Sequence, residues 1–245
     1  MPYSEARTRY NYPAAHIRAA ENNLNQGNLR QTDLQFIRPL FPEAANDHNY
    51  FASTMELDQY HSSLLNSVTQ NEVILGLASV RYWGNYEVSG TERHTFSTTR
   101  LRWFFSGNGR SSRSVQSLGE NYIFEKVLAA RMLIQESEYG KALTKVTELP
   151  FFGRSFASKV HAFMAPSEIG VYDLHIARAL QRNDLAMNST GKMTGAAEQT
   201  FDLYCEYLQT TATNLNNSGD TWIDWDGNEH PWSCLLYTSP SPRDS

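Results

Sequence analysis

Residues 148–182 read Glu148-Leu-Pro-Phe-Phe-Gly153-Arg-Ser-Phe-Ala-Ser-Lys159-Val-His-Ala-Phe163-Met-Ala-Pro166-Ser-Glu-Ile-Gly-Val-Tyr-Asp173-Leu-His-Ile-Ala-Arg-Ala-Leu180-Gln-Arg182. Pro150 cannot continue a helical ladder, and Gly153 suits a tight turn. A helix is therefore expected to end near Glu148, with a turn centred on Pro150 and Gly153 and a second helix beginning at about Arg154. Two helices joined by a short turn containing Gly form a hairpin. Backbone N–H groups at such a turn and at the following helix start lack intrahelical partners and suit a phosphate oxygen, which the helix dipole also favours. The residues placed there are Phe152, Gly153, Arg154 and Ser155.

The second helix sets Phe156, Val160, Phe163 and Met164 along one arc at spacings of three and four. Lys159 lies at the margin of that arc. Beside aromatic surface a lysine loses hydration, which disfavours its charged form and suits Schiff-base nucleophilic chemistry. The plainer role for Lys159 is a stem laid along apolar side chains with its ammonium in water. Pro166 closes the helix, and Ile169 to Tyr172 form an extended, buried connection. Asp173 then precedes an amphipathic helix carrying Leu174, Ile176, Ala177 and Leu180. There its carboxylate serves as an N-cap, and a capped carboxylate also stays ionised at the mouth of a cleft.

Charge supports a local anion partner. Over residues 141–182, Lys141, Lys145, Arg154, Lys159, Arg178 and Arg182 outnumber Glu148, Glu168 and Asp173, within a chain of net charge -5. That acidic total argues against a non-specific nucleic-acid coat and leaves a basic groove open. His161 and His175 lack a third ligand at metal spacing, so neither a metal nor a cofactor is expected.

Outward from this stretch the 245 residues read as helical. Short helices are expected from Ala14 to Leu24 and from Leu29 to Leu40, and a longer one from Met55 to Val68 with Thr54 as its N-cap. A buried helix is expected from Glu72 to Trp83, then a loop from Gly84 to Thr95. The polar stretch from Ser106 to Ser114, with Arg102, Arg110 and Arg113 at or near its edges, reads as a mobile loop. A long helix from Ser117 to Ser137 is expected to bury Leu118, Tyr122, Phe124, Val127, Leu128 and Leu133. Ala196 to Leu215 reads as a further helix, and Asn216 to Trp232 as irregular. No apolar run approaches the roughly 20 residues that cross a bilayer, and the amino terminus lacks signal-peptide character. The expectation is an all-α protein of eight to ten helices over 1–233, for which two lobes with a cleft between them are one arrangement. Residues 234–245 resemble translated sequencing-adapter read-through and are set apart as a non-native tail.

Leu149-Pro-Phe-Phe-Gly153, followed by Ala157 on a helix, resembles the hairpin of helix-hairpin-helix DNA glycosylases, whose pattern is roughly Leu-Pro-Gly-hydrophobic-Gly-x-Lys-x-Ala. Val171-Tyr-Asp173-Leu-His175 resembles the segment carrying that family's catalytic aspartate. Ala157-Ser-Lys-Val-His-Ala-Phe-Met-Ala-Pro166 followed by Val-Tyr-Asp173 is similar to bacterial proteins with the 8-oxoguanine-glycosylase-like fold. Phe151 stands where the family has its first hairpin glycine. Ser155 stands where it has its lysine nucleophile, and Lys159 follows one helical turn later.

The resemblance implies a helix-hairpin-helix glycosylase-like fold and a DNA glycosylase, monomeric, acting on double-stranded DNA with a damaged base such as 8-oxoguanine. With neither a spanning run nor signal-peptide character in the sequence, a cytoplasmic, nucleoid-associated location is expected by default. The base would be flipped from the duplex into a pocket. Asp173 would stabilise the cationic sugar, Lys159 would attack the anomeric carbon in a bifunctional version, and the hairpin would hold phosphate. Trp83, Trp103 and Phe104 are candidates for a base pocket or wedge, and each also fits as a core aromatic. Two other readings remain: a helix-hairpin-helix protein that binds DNA without cutting, and a helical interaction protein unrelated to DNA.

Overall fold

A computed structural model describes residues 53–86, 93–173, 197–224 and 226–234, with the isolated positions 32, 35, 36 and 40. Among them the chain forms eight helices and one pair of two-residue strands, an all-α fold. The helices are α1 (Thr54–Leu65), α2 (Gln70–Tyr86), α3 (Arg93–Ser106), α4 (Val115–Leu118), α5 (Glu120–Gln135), α6 (Tyr139–Thr147), α7 (Arg154–Met164) and α8 (Ala197–Asn217). β1 (Trp222–Ile223) pairs antiparallel with β2 (Glu229–His230).

Helix α1 starts one residue earlier than the sequence suggests. Ser53 is its extended N-cap and accepts from the Glu56 N–H at 3.0 Å. The Asp224 carboxylate, from the loop after β1, accepts from the Thr54 and Met55 N–H groups at 3.0 Å each. Those bonds satisfy orphan donors at the positive end of the helix. Its other end is closed by Arg131, which donates to Leu65 O, and to Ser67 O at 2.8 Å.

Helix α2 is buried on most sides, through Val73, Leu77, Ala78, Val80, Tyr82 and Trp83, and packs against α1, α3, α5 and α7. The loop expected from Gly84 to Thr95 overlaps helix at both ends, since α2 runs on to Tyr86 and α3 begins at Arg93; residues 87–92 lie outside the described residues. Helix α3 was not legible from apolar periodicity; it is rich in Arg, Ser and Thr and is fixed by burial of Leu101 and Phe104. The long helix expected from Ser117 to Ser137 is two helices, divided at Gly119, whose φ of 85° leaves the helical region. The fully buried positions of α5 are Ile123, Val127, Ala130 and Ile134. Of the positions expected there only Val127 belongs to that set, because packing on α2 and α6 selects the face.

Helix α6 packs on α5, α7 and α8. Gly140 lets α8 come close: a Cβ there would collide with the backbone of Glu198, and the Gly140 N–H donates to Asp202 Oδ1 at 2.7 Å. One continuous core runs from Leu57 to Cys234, and a small cluster of Ala212, Trp222 and Trp232 sits beside it. Cys234, the first residue set apart as tail, is buried and its thiol donates to Ser167 O at 3.1 Å. Residues 235–245 lie outside the described residues, as do the expected helix 14–24 and most of 29–40, of which Thr32, Gln35 and Phe36 are helical.

Candidate functional site

The hairpin forms where Pro150 and Gly153 place it. Helix α6 ends at Thr147, the turn is bonded through Leu149 N to Val146 O at 3.0 Å, and α7 starts at Arg154. Phe151 adopts a φ of 65°, a left-handed conformation that costs a side-chain-bearing residue about 1–2 kcal/mol. Its carbonyl is held by Arg81, whose Nη1 donates to Phe151 O at 2.6 Å. On the other flank Arg113 Nη2 donates to Glu148 O at 2.6 Å. The Glu148 carboxylate pairs with Lys126 and Lys145, and the Lys126 ammonium holds its carboxyl below the usual range.

Gly153 is the extended N-cap of α7, and no side chain caps that helix start. Gly153 and Arg154 are exposed and Ser155 is partly so, with open space where a Gly153 side chain would be. Phe152 differs from its three neighbours in the expected phosphate-facing set. Its N–H turns inward to Leu149 O at 3.3 Å and its ring is in the core.

Lys159 is not a snorkelling surface lysine. It and Asp173 form a pair at 3.4 Å with side chains only 7% and 14% exposed. A charge persists at such depth when paired. The space exists because Gly84 faces it: a Cβ there would stand 2.8 Å from the Phe156 ring and 3.2 Å from Lys159 Cδ. The ammonium also lies 6.0 Å from the centre of the Trp83 ring.

The segment carrying Asp173 is pinned on two sides. Ser158 Oγ accepts from Tyr172 N–H at 2.9 Å and donates toward Ser155 O at 2.8 Å and Tyr172 O at 3.1 Å. Tyr204 Oη donates to Val171 O at 2.5 Å. Ile169, Val171 and Tyr172 are buried in an extended connection, as their sequence suggests. The N-cap role of Asp173 concerns the segment 174–182, which lies outside the described residues together with His175, Arg178 and Arg182.

Of the three aromatic candidates, Trp83 is buried edge-on against Phe163 at 5.2 Å, and Phe104 is buried edge-on against Phe152 at 5.6 Å. Trp103 is partly exposed, with its ring 6.1 Å from Phe151 and the Arg100 guanidinium 4.1 Å above it.

His161 is buried on the far side of α7, its ring 6.2 Å from Phe201. Burial pushes its pKa down to about 3, weakly opposed by the nearby Ala142 backbone. The described residues do bring Asp224, Asp226 and His230 together, with ligand atoms within 4.8 Å of one another. Both Asp224 oxygens already cap α1, and Asp226 accepts from the Asn228 N–H at 3.0 Å, which explains the cluster as turn and cap chemistry. The two thiols are also structural: burial pushes Cys205 well up and Cys234 up to about 12.

Sequence reading missed Arg81, Arg100 and Ser158. The signal for Arg81 was present as the one charge within the apolar run of α2 from Val73 to Trp83. Among the described residues no helix is long and apolar enough to cross a membrane. The chain matches no protein-family model, no curated protein and no solved structure.

Proposed function

We propose that this chain is a DNA N-glycosylase of the helix-hairpin-helix kind, acting on double-stranded DNA with a damaged, 8-oxoguanine-like base. The observation that carries the reading is the nearly buried Lys159–Asp173 pair, set at the junction of the hairpin's second helix and the extended segment that follows it. Asp173 remains 14% exposed, enough to meet a substrate at a surface opening while sheltered from bulk water. Phe151 adds support. It occupies the place of the family's first hairpin glycine and takes a φ of 65°, a conformation for which glycine is the ordinary choice. The turn therefore keeps a glycine-type backbone without the glycine.

In this reading the uncapped start of α7, at Gly153, Arg154 and Ser155, receives a backbone phosphate. The target base leaves the stack, at a cost lowest for a damaged or mispaired base. As the glycosidic bond breaks, its electron pair leaves with the base and positive charge develops on the sugar, where the Asp173 carboxylate stabilises it. Water then adds to the anomeric carbon and gives up a proton to Asp173. A bifunctional course replaces water with the Lys159 amine after its proton has passed to Asp173; a second amine proton then moves to the ring oxygen as its bond to the anomeric carbon breaks, which gives a protonated Schiff base on an opened sugar.

Borohydride trapping on duplexes containing 8-oxoguanine or an abasic site, beside Lys159→Ala and Asp173→Asn, tests both courses. An adduct lost in Lys159→Ala establishes the bifunctional course. Base release that depends on Asp173 without an adduct establishes the monofunctional one. With neither adduct nor base release, the glycosylase reading fails for these lesions and a hairpin that binds without cutting takes its place.

A further inference from the structure

Two guanidinium groups converge on the flank of the hairpin, and among the described residues no acid pairs with them. Arg81 is 6% exposed. Its Nη1 donates to Phe151 O, its plane lies 4.2 Å from the centre of the Phe156 ring, and its Nε is buried with no hydrogen-bond partner. Arg100, on α3, covers the Trp103 ring that neighbours Phe151, and is close enough for its charge to act on Arg81. Burial, and then that like charge, bring Arg81 down to about 10, so it remains a cation at neutral pH. Among the described residues no carboxylate forms an ion pair with either arginine.

Buried cations are ordinarily paired, because desolvation penalises an isolated charge. Arg131 shows how this protein meets that requirement elsewhere. Among the described residues it too pairs with no carboxylate, but two of its nitrogens donate to the carbonyls of Leu65 and Ser67 at the negative end of α1. The Nε of each arginine is buried without a hydrogen-bond partner; Arg81 differs in having one carbonyl where Arg131 has two, and a second cation beside it. The hydrogen bond to Phe151 explains why Arg81 reaches the turn; it does not explain why Arg100 stands next to it.

We propose that Arg81 and Arg100 form an anion site for a phosphoryl group, Arg81 as its floor and the partly exposed Arg100 as its rim. The guanidinium fork suits phosphate oxygens, and Phe156 beneath Arg81 holds its plane in place. The site lies two residues from the open helix start at Gly153, so a nucleic-acid backbone is the natural source of the phosphoryl group. That choice of source rests on the function proposed above; the anion site itself does not.

The test uses the full chain with inorganic phosphate as the probe, against chloride at matched ionic strength, in thermal unfolding. Phosphate is expected to raise the midpoint saturably, and Arg100→Gln to abolish the response. Arg81→Lys, which keeps the charge and loses the fork, is expected to weaken it; should Arg81→Lys fail to fold, Arg100→Gln still decides. In parallel, binding of undamaged duplex DNA is titrated with salt. Arg100→Gln is expected to lower affinity about tenfold and to reduce the salt slope by about one. A phosphate response lost in Arg100→Gln with DNA binding unchanged upholds the site and assigns it to a small phosphorylated ligand. A midpoint that does not respond to phosphate, or responds equally in Arg100→Gln, overturns the proposal whether or not the protein releases bases.

Discussion

Helix α7 carries two buried basic residues, Lys159 and His161, and the protein treats them in opposite ways. Two positions along a helix are about 200° apart, so the pair points to opposite sides. Lys159 faces α2 and the segment after α7, where Gly84 leaves room and Asp173 supplies a carboxylate at 3.4 Å. His161 faces the side packed against α6 and α8, near Ala142 and Phe201, and burial keeps it neutral. The difference marks one side of the helix as built to hold charge and the other as built to exclude it. The proposed chemistry falls on the first side, and the second packs into the core.

The largest effect should come from breaking the charged side. Asp173→Asn is expected to lower single-turnover base release by on the order of 10²–10⁴-fold. It also strands the Lys159 ammonium in a buried site, at a cost to stability of about 3 kcal/mol. Lys159→Met in the same background should recover most of that stability in urea unfolding and none of the activity. If the double variant regains base release, Asp173 acts only as a counter-ion and the proposed mechanism is wrong.

The dry side should respond to acid. The unfolded His161 ring takes up a proton below about pH 6.5, whereas the folded ring resists until about pH 3. The stability it contributes is therefore complete above pH 6.5 and is lost as pH falls between these values. At about 1.36 kcal/mol per unit, two units of descent to pH 4.5 cost about 2.7 kcal/mol. His161→Leu removes this proton uptake, so its urea midpoint should fall less steeply from pH 7 to 4.5 than that of the parent. Parallel slopes would show that acid acts elsewhere.

Two glycines sharpen the contrast. At Gly140 a Cβ would meet the backbone of Glu198 in α8, which cannot yield without moving the helix. At Gly84 it would meet the Phe156 ring and the Lys159 stem, both able to swing aside. Gly140→Ala is expected to cost about 3 kcal/mol, at the upper end for overpacking, and Gly84→Ala about 1 kcal/mol. In base release the order should reverse, since only Gly84→Ala displaces Lys159. Equal midpoints in thermal unfolding would mean that the two sides of α7 are equally compliant.

What the sequence revealed follows the range over which each feature is determined. The hairpin was legible because Pro150 and Gly153 act on their own neighbours. Helices α1, α2 and α8 were legible from periodicity, to within a few residues at their ends. Helix α3 was hidden because its Arg, Ser and Thr residues carry no apolar stripe, and its stability comes from burying Leu101 and Phe104 in the assembled core. At the candidate site, Lys159 and Asp173 could each be named from local pattern. Their pairing could not, since the room for it is supplied by Gly84 on another helix. Arg100 was missed for the same reason: it looks ordinary until the fold sets it near Arg81, whereas Arg81 stood out in the sequence as the one charge in the apolar run of α2.

The smallest expected effect concerns how the charged side is kept in register. Ser158 lies next to Lys159 and bonds the backbone of Tyr172, next to Asp173, so one hydroxyl ties the two halves of the pair together. Ser158→Ala removes that tie from a buried position and leaves the Tyr172 N–H without its partner, at a cost of about 1–3 kcal/mol. Thr in its place restores the hydroxyl and should recover most of the loss. A merely structural tie would alter stability and leave the reaction unchanged. A positioning one should also lower single-turnover base release when all molecules are folded, with the Thr variant recovering the rate. Because Asp173 is further held by Tyr204 through Val171, the rate loss in Ser158→Ala should remain well below that of Asp173→Asn. A loss as large would mean that Ser158, and not only the carboxylate it positions, meets the substrate.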